Sequence, residues 1–167
     1  MPVTMTLDDL FLLTLKDIYF AERQVLKSLR KMAKAAENAE LKQAFTDHRQ
    51  QTEGQIERLQ RIFEIIGKRA QGQTCEAIQG LIQEVEELLE EATEASPVRD
   101  AGLIACAEAV EHYEMARYGS LLAWAEAQGR DDVAALLSET LDEETATAKM
   151  LHEMGRNTIN AEAQQAA

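Results

Sequence analysis

The sequence predicts a single, almost wholly α-helical domain, built as a four-helix bundle with an added crossover helix. The chain is rich in alanine, leucine, glutamate and glutamine, and its 167 residues include only two prolines and eight glycines. This composition is typical of long helices, because the abundant residues form helices readily while proline and glycine interrupt them. Apolar residues recur at steps of three and four through most of the chain, which is the spacing of one helix face.

The first two predicted helices form a hairpin. The first begins after Thr6, which together with Asp9 resembles a capping box, and its apolar face continues to about Lys34. Asn38 is a good N-cap for the second helix, and Gly67 is placed to end that helix. Since the loop between them is short, the two helices are expected to be antiparallel neighbours.

The other two long helices form a second hairpin. Ser96 and Pro97 start the third helix of the bundle, with serine as the N-cap and proline at the first helical position. Gly129 is placed to end it, and either Asp131 or Asp132 is expected to cap the last long helix. This connection is also short, so these two helices should again be antiparallel.

A long connection, residues 68–95, separates the two hairpins and contains a shorter amphipathic helix around residues 78–89. One long crossover that joins two helix hairpins is the connection of ferritin-like bundles.

Gly155 is placed to end the last helix. We therefore expect a bundle domain over residues 1–156 and a frayed, polar tail over residues 157–167.

The charge of the chain narrows the choice of partners. Seventeen basic and 30 acidic residues give a formal net charge of −13, which disfavours nucleic acid and anionic membranes and favours cations. No apolar run approaches the roughly 18 residues that a transmembrane helix needs. With no apolar signal segment after Met1, Cys75 and Cys106 are expected to be reduced thiols in a cytoplasmic protein.

Five polar residues fall on the apolar faces of the predicted bundle helices. Turning each helix by about 100° per residue places Glu114 and Glu144 at the centres of their faces. Glu111 lies one turn before Glu114, Glu22 lies near the centre of the first helix face, and His48 is central on the second. The number of residues between each of these side chains and its hairpin loop gives its position along the bundle axis. By this count Glu22, Glu114 and Glu144 lie near the middle of the bundle, and His48 lies about a turn and a half from the level of Glu22.

Several inward carboxylates at one level need a compensating positive charge. An unpaired charge in a protein core costs several kcal/mol, and neighbouring carboxylates also repel one another. A bound divalent cation, or a pair of them, removes both costs. Carboxylate and imidazole ligands suit iron or manganese better than a thiolate-bound structural zinc.

Four motifs lie on the core faces of the long helices: Asp17-x-Tyr19-x-Ala21-Glu22, His48-x-x-Gln51-Thr52-x-x-Gln55-Ile56-Glu57-Arg58-Leu59, Val110-Glu111-His112-Tyr113-Glu114 and Leu141-x-Glu143-Glu144. Together they resemble the bacterial YciF/YciE family of stress-associated proteins, from about Leu7 to Leu151. That family belongs to the ferritin-like superfamily and is similar to rubrerythrins in fold. The resemblance implies a candidate dinuclear iron or manganese site and a small oligomer such as a homodimer.

The second helix departs from the rubrerythrin pattern, in which Glu-x-x-His would precede the Ala-Glu-Arg run. Thr52 and Gln55 precede Glu57-Arg58 here, which leaves open whether His48, Gln51, Thr52 or Gln55 supplies a ligand from this helix. The last helix likewise follows Glu144 with Thr147 in place of histidine.

Two functions are therefore expected from the sequence. In the first, Glu22, His48, Glu111, Glu114 and Glu144 hold metal in a stress protein that oxidises ferrous iron or reduces peroxide with an outside reductant. In the alternative, the bundle holds no metal and acts as a structural or interaction protein, working as a dimer under stress. The sequence does not decide whether the protein is an enzyme.

Overall fold

The computed structural model describes residues 4–166, which form helices joined by irregular connections. The elements in chain order are α1 (Leu7–Ala35), α2 (Ala39–Ile65), α3 (Glu76–Glu91), α4 (Pro97–Ala127), α5 (Asp131–Met154), a π-helical turn (Gly155–Ile159) and α6 (Asn160–Gln165). These residues contain no β-strand, so the predicted all-α class is confirmed.

The four long helices α1, α2, α4 and α5 form the bundle as two hairpins. Contact is most extensive within the pairs α1–α2 and α4–α5, and the hairpins meet along an α1–α4 seam and an α2–α5 seam. Helix α3 lies in the long crossover and packs on both α1 and α4, so it covers the α1–α4 seam. The predicted ferritin-like bundle with a crossover helix is therefore confirmed.

The interior of the bundle is filled by the apolar stripes of its helices. Tyr118 and the rings of Phe11, Phe45 and Phe63 are among the largest fully buried side chains. The remaining helix faces are polar, and no helix in residues 4–166 is long and apolar enough to cross a membrane. Burial of one face of each helix thus accounts for the assembly of the domain.

Most of the predicted helix ends agree with the structure. Thr6 Oγ1 accepts a hydrogen bond from the Asp9 amide at 3.1 Å, and the Asp9 carboxylate accepts one from the Thr6 amide at 2.9 Å, which completes the capping box. Asn38 and Ser96 cap α2 and α4 as expected. After α4, Gly129 adopts a φ of 67°, a conformation that favours glycine.

The predicted cap of α5 is wrong. Arg130 is the N-cap and makes no side-chain capping bond, while Asp131 and Asp132 occupy the first turn of the helix. The reversal at Gly129 is tight enough that the chain enters the helix immediately afterwards. The two aspartates still favour the start of α5, because their negative charge lies at the positive end of the helix dipole.

The expectation of a frayed C-terminal tail is also wrong. The helical structure continues past Gly155 and across the expected boundary at residue 156, through a π-helical turn, to Gln165. Ile159 is fully buried on this extension, which packs against α4. The single apolar Ile159 in a polar segment is what anchors the tail.

A buried acidic residue of α4 fastens the first hairpin to the second. The Asp100 carboxylate is 1% exposed and accepts hydrogen bonds from the amides of Glu37 at 2.9 Å and Asn38 at 2.7 Å. The neighbouring Arg99 guanidinium donates to the carbonyls of Ala35, Ala92 and Thr93. These bonds satisfy backbone groups that the ends of α1, α2 and α3 leave without partners.

We expect Asp100→Ala to lower the free energy of unfolding by about 2–4 kcal/mol, because two buried amides lose charge-assisted hydrogen bonds. Urea denaturation of the variant and the wild type measures the loss. Asp142→Ala is the matched control, since Asp142 is exposed on α5 and its removal should change stability by less than about 0.5 kcal/mol. Equal stabilities for the two variants would show that the Asp100 contacts contribute nothing.

Candidate functional site

The structure brings all five predicted site residues together in the interior of the bundle. Glu22 comes from α1, His48 from α2, Glu111 and Glu114 from α4, and Glu144 from α5. None of the five side chains belongs to a residue that is more than 3% exposed. Each lies on the apolar stripe of its own helix, so packing those stripes against one another forces the polar groups into a single cluster.

The cluster consists of two overlapping groups of three residues. One trio is His48, Glu111 and Glu144, and the other is Glu22, Glu114 and Glu144. Within each trio, one potential ligand atom from every residue lies within 4.8 Å of the other two. Glu144 belongs to both trios, so two adjacent positions share one carboxylate.

The chain itself satisfies few of the polar atoms in this cluster. The Tyr118 hydroxyl donates a hydrogen bond of 2.5 Å to Glu22 Oε1, and His48 Nε2 lies 2.6 Å from Glu111 Oε1. Six carboxylate oxygens have no hydrogen-bond partner, and these are Glu22 Oε2, Glu111 Oε2 and both oxygens of Glu114 and Glu144. Buried polar atoms are nearly always bonded, so this concentration of unpartnered acceptors is unusual.

Burial and mutual repulsion make the cluster a poor place for negative charge. Burial, followed by the nearby Glu144 carboxylate, raises the pKa of Glu22 to about 8 against the opposing hydrogen bond from Tyr118. Burial likewise raises the pKa of Glu111 to about 7. The pKa values of Glu114 and Glu144 are raised as well, first by burial and then by their acidic neighbours. Without a cation, these groups therefore tend to hold protons at neutral pH.

His48 is the residue of α2 that reaches the carboxylates. The Thr52 hydroxyl instead donates to the His48 carbonyl at 2.9 Å, and Gln55 Nε2 donates to Glu143 Oε2 at 3.0 Å. Gln51 is exposed, and its side-chain oxygen accepts from the Thr147 hydroxyl at 3.4 Å. His48 pairs with Glu111 and not with Glu22, which agrees with its offset along the bundle axis.

A second polar network lies beside the cluster and was missed by sequence reasoning. The Arg58 guanidinium donates to both carboxylate oxygens of Glu143, to Thr140 Oγ1 and to Glu139 Oε1. These bonds join α2 to α5 and explain why Glu143 stays out of the cluster although it adjoins Glu144. The sequence feature that could have predicted this network is Arg58, which lies one helical turn after the inward-facing Gln55.

A protein-family model, described as "Domain of unknown function (DUF892)", matches residues 6–164. The chain belongs to this family. It is 44% identical over 160 residues to protein YciF of Escherichia coli strain K12, which covers 95% of this chain and 96% of that protein. The resemblance to the YciF/YciE family is thus confirmed.

Two solved structures show the same fold at high identity. The crystal structure of the E. coli stress protein YciF superimposes with a TM-score of 0.88 at 44% identity, over 94% of this chain and 99% of that one. YcfI from Rhodopseudomonas palustris, which is described provisionally as a structural protein, gives a TM-score of 0.84 at 46% identity. That match covers 89% of this chain and 94% of the other.

We expect the metal-free protein to lose stability as the pH rises from 4.5 towards about 8. In this window the native state holds protons on carboxyls with raised pKa values, such as that of Glu22, while the unfolded state has released them, so a rise in pH favours unfolding. Urea denaturation in chelator across this pH range measures the slope.

Glu22→Gln should flatten that slope, because the amide cannot ionise but keeps an oxygen for the Tyr118 hydroxyl. Glu53→Gln is the control, since Glu53 is exposed on α2 and should leave the slope unchanged. A metal-free wild-type protein whose stability increases over the same range would contradict protonated carboxyls in the native state.

Proposed function

We propose that the protein binds iron or manganese between the helices of the bundle, with one cation in each trio and Glu144 shared between them. The observation that carries this proposal is the set of buried carboxylate oxygens without hydrogen-bond partners. They belong to two trios whose ligand atoms are already close together. Oxygen donors with one imidazole are a donor set that suits these metals.

A cation explains the cluster better than the contacts within the chain do. No lysine or arginine in residues 4–166 forms an ion pair with any of its four carboxylates, and the imidazole of His48 pairs directly with Glu111 alone, at 2.6 Å. Two divalent ions would neutralise the carboxylates and occupy their unpartnered oxygens. Neutralisation matters here because a buried charge without a partner costs several kcal/mol.

The residues of the chain would hold the metals and shield them. Glu144 would keep the two positions adjacent, and the Tyr118 hydroxyl fixes one oxygen of Glu22 so that the other faces the trio. Packed helices exclude bulk water from the cluster. A bound iron or manganese pair would supply oxidation–reduction chemistry toward oxygen or peroxide, which we propose the protein uses in ferrous-iron oxidation or peroxide reduction.

The similarity to a stress protein supports a role of this kind. E. coli YciF carries that description, and it shares nearly its whole length with this chain. Removal of ferrous iron or peroxide limits oxidative damage, so a carboxylate-bound metal would fit such a protein. We propose that it works as a homodimer in the cytoplasm.

The rival proposal is a structural or interaction protein without metal, also acting as a dimer. The second helix favours it, because Thr52 and Gln55 turn to other partners and α2 offers the carboxylates a single imidazole. The carboxyls would then stay protonated at neutral pH, as their raised pKa values allow. Metal content separates the two proposals.

We expect the purified protein to retain metal after loading with ferrous iron or manganese and removal of the excess. Elemental analysis should show that Glu144→Gln abolishes binding, because both trios lose a ligand, while His48→Ala and Glu114→Ala each remove the metal of one trio. Glu143→Gln is the control, since that carboxylate binds Arg58 outside the cluster. An absence of metal, with a melting temperature that chelator leaves unchanged, would favour the rival.

Metal binding should also release protons. Below the raised pKa values of about 7 and 8, the Glu111 and Glu22 carboxyls are mostly protonated, and a cation must displace those protons to bind. Titration calorimetry in buffers with different ionisation enthalpies measures the number released, which should fall as the pH rises. Binding without proton release would show that the carboxylates are already ionised in the metal-free protein.

A further inference from the structure

A groove of about 340 Å³ opens on the surface of the bundle between α2 and α5 and ends at His48. Asp47, His48 and Gln51 line it from α2, and Ala146 and Thr147 are among the residues that line it from α5. Asp47, Gln51 and Ala146 are exposed, whereas His48 and Thr147 are 3% and 5% exposed. The groove therefore leads from solvent to the edge of the buried cluster.

We propose that this groove is the route by which a hydrated divalent cation enters the cluster. The inference rests on the proposed function, because it assumes that the cluster binds metal. It goes further by assigning entry to one seam of the bundle and to residues outside the ligand set.

A second surface groove lies between α4 and α5, but none of the residues that line it belongs to either trio, whereas His48 lines the α2–α5 groove. The seams within the two hairpins are the most extensively packed, and α3 covers the α1–α4 seam. Of the two seams between the hairpins, the α2–α5 seam has no helix over it in the described part of the chain. Arg58 closes one half of that seam through its bonds to Glu139, Thr140 and Glu143. The groove occupies the other half, where the small side chain of Ala146 leaves space.

Several residues that line the groove carry groups that can bind a cation. The exposed Asp47 carboxylate stands at the rim, where it would attract a hydrated cation. The exposed Gln51 side-chain carbonyl and the Thr147 hydroxyl also line the groove, and the buried His48 Nδ1 has no hydrogen-bond partner. On the other side of the same ring, Nε2 meets Glu111. A cation can thus exchange water for protein ligands by stages and does not have to shed its hydration shell at once.

The pair Gln51–Thr147 closes the inner part of the groove, and this closure is weak. Its hydrogen bond is 3.4 Å long, beyond the usual range for hydroxyl donors, so breaking it costs little free energy. Thr147 also lies one helical turn after Glu144, the carboxylate that both trios share. Movement of this one side chain would therefore connect the groove with the cluster.

Reversible blockage of the groove tests the proposal. Ala146→Cys is made in a Cys106→Ser background, where the remaining Cys75 is buried, and is labelled with a bulky methanethiosulfonate reagent. Cobalt(II) binding is followed by its visible absorption after rapid mixing. We expect labelling to slow binding by roughly tenfold or more, with the final amount of bound cobalt unchanged, and a reductant that removes the label to restore the rate.

The control places the same label in a different groove. Ala105 is exposed on α4 in a groove beside the C-terminal extension, so labelled Ala105→Cys should bind cobalt at the unmodified rate. Equal rates for labelled and unlabelled Ala146→Cys would overturn the proposed route. If neither the unlabelled Ala146→Cys variant nor the wild type binds cobalt, the result contradicts the proposed function, and the proposed entry route is then also wrong.

A second variant tests the role of Asp47 at the rim of the groove. Because Asp47 is exposed, its substitution should not disturb folding. Asp47→Asn should slow cobalt binding by roughly twofold or more at low ionic strength, and the difference should shrink as added salt screens the charge. The amount bound at saturation should match the wild type, because Asp47 belongs to neither trio. A rate equal to that of the wild type at low salt would contradict a role for this carboxylate in entry.

Discussion

Four carboxyl groups buried at one level of a helical bundle are the constraint around which this structure is organised. Their negative charges would repel one another strongly in a medium that screens poorly, so folding requires either protons or cations among them. Apart from the carboxyl groups themselves, the direct partners that residues 4–166 supply are the Tyr118 hydroxyl and the His48 imidazole. Most of the compensation is therefore left to the solvent, which can provide protons, or to a bound metal.

The other buried charges of the protein are compensated by the chain itself, and the contrast is informative. The Asp100 carboxylate accepts hydrogen bonds from two backbone amides, and Arg99 donates to three backbone carbonyls. Where a buried charged residue joins neighbouring helices, the chain thus provides its hydrogen-bond partners. The oxygens of Glu114 and Glu144 are buried in the same molecule without hydrogen-bond partners. A purely structural role therefore explains the cluster less well than metal binding does.

Helical periodicity was sufficient to predict the bundle, its crossover and the inward placement of all five cluster residues. It could not predict partners, because hydrogen bonds depend on side-chain directions at helix contacts that periodicity does not specify. For example, Tyr118 of α4 donates to Glu22 of α1, and Thr140 of α5 accepts a hydrogen bond from Arg58 of α2. Local patterns also failed at the C-terminus, where the burial of Ile159 on α4 outweighs the polar composition of the segment around it.

The departures of α2 from the rubrerythrin pattern make the two trios chemically unequal. His48 gives one trio a nitrogen donor, while Glu22, Glu114 and Glu144 offer the other only oxygen. Nitrogen donors favour later transition metals relative to the harder cations that oxygen suffices to bind. Two ions held side by side would therefore differ in affinity and in ease of oxidation, even though they share Glu144. If the cluster binds two ions as we propose, these unequal ligands would make the two positions fill at different metal concentrations.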